Sequence, residues 1–191
     1  GLIKRLIKEG NDVCTLTPED EVSMKLEDAG CEFLSIEMDN RGLNPLADLR
    51  LKKNLEKIYF NQSPQLVIHY TIKPVIYGSL AATELGIPFV NNITGLGTAF
   101  IKKNWVTWVV KRLYRSSQKK ANKIFFQNGE DQNFFQKEKL IPETVSREVI
   151  PGTGININRF SAKPYPTTNP VTFLLIARML WDKGVGEFVE A

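Results

Sequence analysis

The stretch QLVIHYTIKPVIYGSLAATELGIPFVNNI, residues 65–93, decides the fold. It opens on a short apolar run, passes through a helical pattern over 74–85 that Gly86 closes, and ends on a second apolar run, IPFVNNI. Strand, helix and strand in that order form a crossover unit, which makes the two strands parallel. The same alternation continues outward. Towards the start lie an amphipathic helix with Leu2, Ile3, Leu6 and Ile7 on one face, a strand over 12–16 and a short helix ending near Gly30. A strand over 31–38 follows, then a helix over 44–59 in which Leu46, Leu49, Leu55 and Ile58 are spaced to line a face. Towards the end lie a helix over 105–121, a strand over 123–128, a helix over 130–139 and a strand over 146–151. The expected class is α/β, a Rossmann-like parallel sheet flanked by helices. Such sheets bind ligands beyond the carboxyl ends of their strands, here residues 17–18, 70–71, 92–97, 128–129 and 151–154.

At 191 residues and 42% apolar content, the chain suits one domain plus part of another. No run of 18 apolar residues is present, so no transmembrane helix is expected. The chain opens inside a helix without a signal-peptide pattern and stops as another helix begins, which reads as truncation at both ends. SAKPYPTTNP, polar with three prolines, reads as a linker. The expected domains are therefore 1–160, a linker over 161–170, and 171–191, where VTFLLIARML reads as a new buried strand. Cys14 and Cys31 lack C-x-x-C spacing and read as small buried residues of a reducing compartment. His69 is the only histidine, so a multi-histidine metal site is excluded. In its apolar strand it reads as a hydrogen-bonded core residue rather than an acid–base group, and no metal is expected.

Three constellations carry chemistry. In FLLIARMLWDKGVGEF, Arg178 ends the apolar run and Lys183 precedes Gly184 and a helix. An arginine fork, a lysine point charge and a helix start suit a diphosphate; two solvated surface charges are the plainer alternative, and spacing alone does not choose. Next, Thr71 and Lys73 on one loop and Thr94, Gly95 and Gly97 on its neighbour could converge on a sugar or phosphate, unless Thr94-Gly95 only makes a tight turn. The G-x-G of NITGLGTAF has Phe100 where a dinucleotide fingerprint has its third glycine, and the ribose-binding acid is lacking. A nicotinamide oxidoreductase is therefore a distant alternative. The third is FIKKNWVTWVVKRLYRSSQKKANK. The chain's net charge is +4, yet eight cations and no acid lie between Glu84 and Glu130. Lys102, Lys103, Trp105, Trp108, Lys111, Arg112 and Arg115 read as contacts to an anionic membrane surface. A core-facing aromatic side with a solvated basic side is the plainer alternative. Nucleic acid is not an expected partner, because no nucleic-acid motif accompanies the charges.

IARMLWDKGVGEFVEA resembles the donor-binding motif of family 4 glycosyltransferases of GT-B fold, in which the matching Arg and Lys hold the diphosphate of a nucleotide sugar. VIPGTGININRF is similar to that family's segment before the interdomain linker and adds Gly152 to the donor side. YTIKPVIYGSLAATELGIPFVNNITGLGTAF and IFFQNGED are similar to a subgroup that builds bacterial surface polysaccharides, and the second adds Asn128 to the acceptor side. Ala177 replaces a usual glycine, Thr94 stands where many members have histidine, and Val75 where the subgroup has asparagine. The resemblance implies the N-terminal, acceptor-binding half of a GT-B enzyme and the start of its donor domain. It implies a retaining transferase without cofactor or metal, with a nucleotide sugar (a UDP-sugar) as co-substrate. The sugar moved would be a hexose or N-acetylhexosamine. The acceptor would be a polyprenyl-diphosphate-linked saccharide of capsule or lipopolysaccharide O-antigen synthesis. The enzyme would be cytoplasmic and peripheral at the inner face of the plasma membrane. The family's first strand and its acidic donor-sugar motif fall outside the 191 residues, so the fragment alone is expected to be inactive. The alternative of a different class is a non-catalytic membrane-associated module that binds anionic lipid or a lipid-linked glycan.

Overall fold

The computed structural model describes residues 1–20, 23–39, 44–97, 100, 105–152, 154–165 and 170–191. Its contacts divide the chain into two units, Gly1–Thr153 and Gly154–Ala191. The first unit alternates helix and strand: α1 (Leu2–Lys8), β1 (Cys14–Thr17), α2 (Ser23–Glu27), β2 (Glu32–Ser35), α3 (Pro45–Gln62) and β3 (Val67–Tyr70). A π-helical segment, Pro74–Gly78, then runs into α4 (Ser79–Leu85). β4 (Phe89–Ile93), α5 (Trp105–Ser117) with a 3-10 turn at Gln118–Lys120, β5 (Lys123–Phe126), α6 (Gly129–Lys137) and β6 (Ser146–Val149) complete it. Every strand pair is parallel, with β1 beside β2 and the order β3-β4-β5-β6 in the larger sheet. The expected Rossmann-like class is observed.

Local chemistry sets these elements. Asn44 caps α3, its Oδ1 accepting from the amides of Leu46 (3.0 Å) and Ala47 (3.4 Å), and Pro45 supplies the fixed φ of a first helical residue. Gly86, at φ +70°, closes α4 where the sequence places the stop. The core face of α3 differs from the expected one: Leu51, Leu55 and Tyr59 are buried, while Leu46 and Leu49 are exposed. At 3.6 residues per turn, Leu46 and Leu49 fall nearly opposite the Leu51–Leu55–Tyr59 stripe.

In a parallel ladder, register partners share a face. His69, Asn91 and Ile124 are aligned on one face of the sheet, and Ile93 and Phe126 extend it. Helices pack there, as the Tyr59–His69 and Phe126–Phe135 ring contacts show. The opposite face carries Ile68 and Tyr70, which are 36% and 39% exposed. Of the apolar run QLVIHY, only the His69 side is covered by these helices.

A polar seam crosses this core. Because Asn91 Oδ1 can only accept, His69 Nδ1 carries the proton and donates to it at 2.8 Å. His69 Nε2 is then the acceptor for the Tyr59 hydroxyl at 3.0 Å. Asn91 Nδ2 donates to Ser79 Oγ and to Gln118 Oε1, Ser79 Oγ donates to the Val75 carbonyl, and Gln118 Nε2 donates to the same carbonyl. The shared Val75 carbonyl lies in the π-helical segment, so the seam ties that segment to β4 and to the end of α5. Each bond has a donor and an acceptor, which makes the seam stabilising rather than costly. Gly78 is part of the fit: a Cβ there would stand 2.5 Å from His69 Nε2.

The second unit holds a 3-10 turn, Trp181–Lys183, and a short helix α7 (Val185–Glu190). The strand expected over 171–180 is not formed, and Phe173 and Ile176 are 80% and 87% exposed. A strand needs a neighbour to take its backbone hydrogen bonds, and this unit contains no other strand among the described residues. Cys14 also departs from expectation: it is exposed, whereas Cys31 is buried.

Candidate functional site

The carboxyl ends of β3 and β4 bring two loops side by side, since Tyr70 is the register partner of Asn92. Thr71, the first residue past β3, has φ +64°. A β-branched residue in the left-handed region is strained by roughly 1–3 kcal/mol. Past β4, Thr94 is exposed, Gly95 has φ +149° and Gly97 has φ +68°. Gly97 is held to glycine by its φ, and an added Cβ would also have to turn aside Ile72, whose Cδ1 would lie 2.5 Å away. Around Gly95 no atom of the described residues lies within 4 Å of an added Cβ. Asn92 itself is 5% exposed, and its Oδ1 has no hydrogen-bond partner among the described residues. An unmet buried amide oxygen costs about 1–3 kcal/mol.

Two of the expected acceptor residues are engaged elsewhere. Lys73 Nζ lies 2.7 Å from Asp48 Oδ1, and Tyr77 Oη donates to Asp48 Oδ2 at 2.8 Å. Burial, with the Asp48 carboxylate beside it, pushes the Tyr77 phenol above its ordinary range. Lys73 therefore anchors the loop after β3 to the first turn of α3. Asn128 is the N-cap of α6: its Oδ1 accepts from the Asp131 amide at 2.7 Å and its Nδ2 donates to Asp131 Oδ2 at 2.9 Å. Thr71, Thr94, Gly95 and Gly97 are the expected residues that remain past the carboxyl ends of β3 and β4. Asp48, Tyr77 and Asn92 were not anticipated. Asp48 lies 25 residues from Lys73, and no local pattern announces that pairing.

The basic aromatic segment is likewise split. The buried face of α5 is Thr107, Val110, Tyr114 and Ser117. Trp105 and Trp108 stand on the opposite face, 74% and 60% exposed, with the Arg112 guanidinium 5.4 Å from the Trp108 ring. Lys111 and Arg115 turn instead to α6. Lys111 Nζ is 2.7 Å from Glu138 Oε2 and lies over the Phe134 ring, and Arg115 donates to the Glu138 and Lys139 carbonyls at 2.9 and 3.3 Å. Carbonyls at a helix C-terminus attract cations, which accounts for the withdrawal of Arg115 from the outward face. Lys102 and Lys103 lie outside the described residues. Among the described residues, no helix is long and apolar enough to cross a membrane, and no group of three His, Cys, Asp or Glu could hold a metal ion.

The expected donor residues fall in both units. Gly152, at φ +70°, belongs to the first, where its amide donates to the Ile150 carbonyl at 2.8 Å. In the second, Arg178 is exposed just before the 3-10 turn that contains Lys183, and Gly184 at φ +70° leads from that turn into α7.

Four similarities to known proteins bear on this arrangement. The glycosyl transferase 4-like family matches residues 2–128. The chain is 30% identical over 207 positions to the N,N'-diacetylbacillosaminyl-diphospho-undecaprenol alpha-1,3-N-acetylgalactosaminyltransferase of Campylobacter jejuni, with 100% of this chain and 54% of that protein covered. It thus spans about half the length of that relative. In fold it is similar to a glycosyltransferase from Rickettsia africae (TM-score 0.61, 16% identity, 84% of this chain and 39% of that one). It is also similar to MurG of Acinetobacter baumannii (TM-score 0.50, 16% identity, 81% and 41% covered).

Proposed function

Because the chain belongs to the glycosyl transferase 4-like family, we propose that the full-length protein moves a sugar from a nucleotide-sugar donor to a lipid-linked saccharide at a bacterial membrane. The observation that carries this reading is whole-chain similarity to a relative named for a diphospho-undecaprenol-linked acceptor. The geometry agrees with it. Strained Thr71 and Gly95, with no described atom within 4 Å of an added Cβ, lie past the carboxyl ends of β3 and β4, and α5 carries two outward tryptophans. A lipid-linked acceptor needs two features: loops that meet its sugar and a surface that lies against the bilayer.

In this reading Arg178 and Lys183 hold the donor diphosphate, with Gly184 allowing the backbone to approach it. The donor is a UDP-sugar, the group moved a hexose or N-acetylhexosamine, and the anomeric configuration is retained. The site of action is the cytoplasmic face of the membrane, in capsule or O-antigen synthesis. Incubating the full-length protein with a panel of nucleotide sugars and polyprenyl-diphosphate-linked saccharides, read by mass spectrometry, should show one added sugar. A folded protein that binds the lipid-linked saccharide but transfers none would leave the non-catalytic binding module instead.

The membrane contact is tested separately. Trp105→Ala with Trp108→Ala removes two exposed indoles from the outward face of α5. Co-sedimentation with anionic vesicles should weaken about tenfold or more, while the fold is unchanged because neither ring is in the core. Unaltered vesicle binding would remove α5 from the interface.

A further inference from the structure

Asn91 and Asn92 are consecutive in β4 and point to opposite faces of the sheet, and the two side chains are treated differently. Asn91 is fully buried with both side-chain atoms bonded, to His69, Ser79 and Gln118. Asn92 is nearly as buried, yet its Oδ1 receives no hydrogen bond among the described residues. It lies between the aromatic rings of Tyr70 and Phe125 in the ladder register, one strand on either side. The next residue after Tyr70 is the strained Thr71. The unmet oxygen thus sits beside a strained turn at the carboxyl end of a parallel sheet, where ligands of such sheets bind. A ligand that donates a hydrogen bond would satisfy it, and rings on either side suit the apolar C–H face of a sugar.

We infer that Asn92 is an acceptor-recognition residue, its Oδ1 taking a hydrogen bond from a hydroxyl or acetamido N–H of the saccharide that receives the new sugar. The assignment rests on the glycosyltransferase reading for the identity of the ligand, but not for the requirement of a donor at Oδ1. A buried acceptor that finds its donor only in the right ligand discriminates strongly against analogues lacking that group.

The test compares Asn92→Leu and Asn92→Asp with the parent in the full-length protein. The probe is an N-acetylhexosaminyl diphosphate on a short polyprenyl chain. Asn92→Leu removes the unmet oxygen at similar volume, so it should melt at or above the parent temperature while binding the probe at least tenfold more weakly. Asn92→Asp keeps an acceptor oxygen and should retain more affinity than the leucine variant. A leucine variant that melts below the parent would show that Asn92 has a structural partner, and one that binds the probe as the parent does would show that the ligand ignores it; either overturns the assignment. Binding of the probe by the parent without any transfer would overturn the enzymatic reading alone and leave Asn92 as a glycan-recognition residue. A parent that does not bind the probe would overturn both.

Discussion

Replacing Arg178 and Lys183 together by alanine is expected to lower sugar transfer by the full-length protein about 10³-fold, chiefly in kcat. As the glycosidic bond to the donor breaks, negative charge grows on the departing diphosphate. Groups already fixed around that position stabilise the transition state more than the ground state. Arg178 offers a planar fork and Lys183 a point charge, and Lys183 closes the 3-10 turn that ends at left-handed Gly184. Removing one preorganised donor of this kind typically costs about 10²–10³ in kcat, and the pair acts on a single leaving group, so the losses will not simply multiply. Arg178→Lys should recover part of the rate but not all, because the bidentate geometry is gone. The KM for the lipid-linked acceptor should stay near the parent value, since the acceptor residues belong to Gly1–Thr153. Initial rates at saturating acceptor decide the matter, and a double variant within tenfold of the parent would end the donor-diphosphate role for this pair.

What was legible in the sequence follows a physical division. Elements set by local chemistry could be read directly: the Asn44-Pro45 start of α3, the Gly86 stop of α4 and the crossover between β3 and β4 all depend on residues within a few positions. Features set by long-range pairing could not. Lys73 looked available to a phosphate because Asp48 is far away in the chain, and Lys111 and Arg115 looked outward because α6 lies beyond the next strand. A helical wheel gives the angle of a side chain but not what packs beside it. The apolar run 171–177 misled for a related reason, since β propensity does not make a strand without a partner. The Asn91–Asn92 pair shows the limit most clearly: identical side chains one position apart have opposite hydrogen-bonding fates, decided by which face of the sheet each one meets.

That same seam predicts how stability depends on pH. His69 accepts from the Tyr59 hydroxyl, and its other neighbour, the Phe89 ring, offers no charge. Tyr59 itself is neutral, its phenol pushed above the ordinary range by burial. Burial lowers the His69 pKa to about 4 from an ordinary 6.5, despite the hydrogen bond to Asn91 that favours the charged form. The unfolded chain therefore binds a proton at His69 in a pH range where the folded chain does not. The stability is fully present above pH 6.5, falls as the pH drops towards about 4, and is constant below that as far as this residue is concerned. Across that window the loss is roughly 3 kcal/mol, a large share of the 5–15 kcal/mol that holds a typical domain. His69→Gln keeps hydrogen-bonding capacity at the site but cannot titrate, so its urea midpoint should change less between pH 7 and pH 4 than that of the parent. Other carboxylates titrate in the same range and affect both proteins alike, which is why the difference between the two curves carries the result. Parallel curves for parent and variant would mean that the histidine takes up its proton in the folded state at an ordinary pH, and that the seam tolerates a second donor at Nε2.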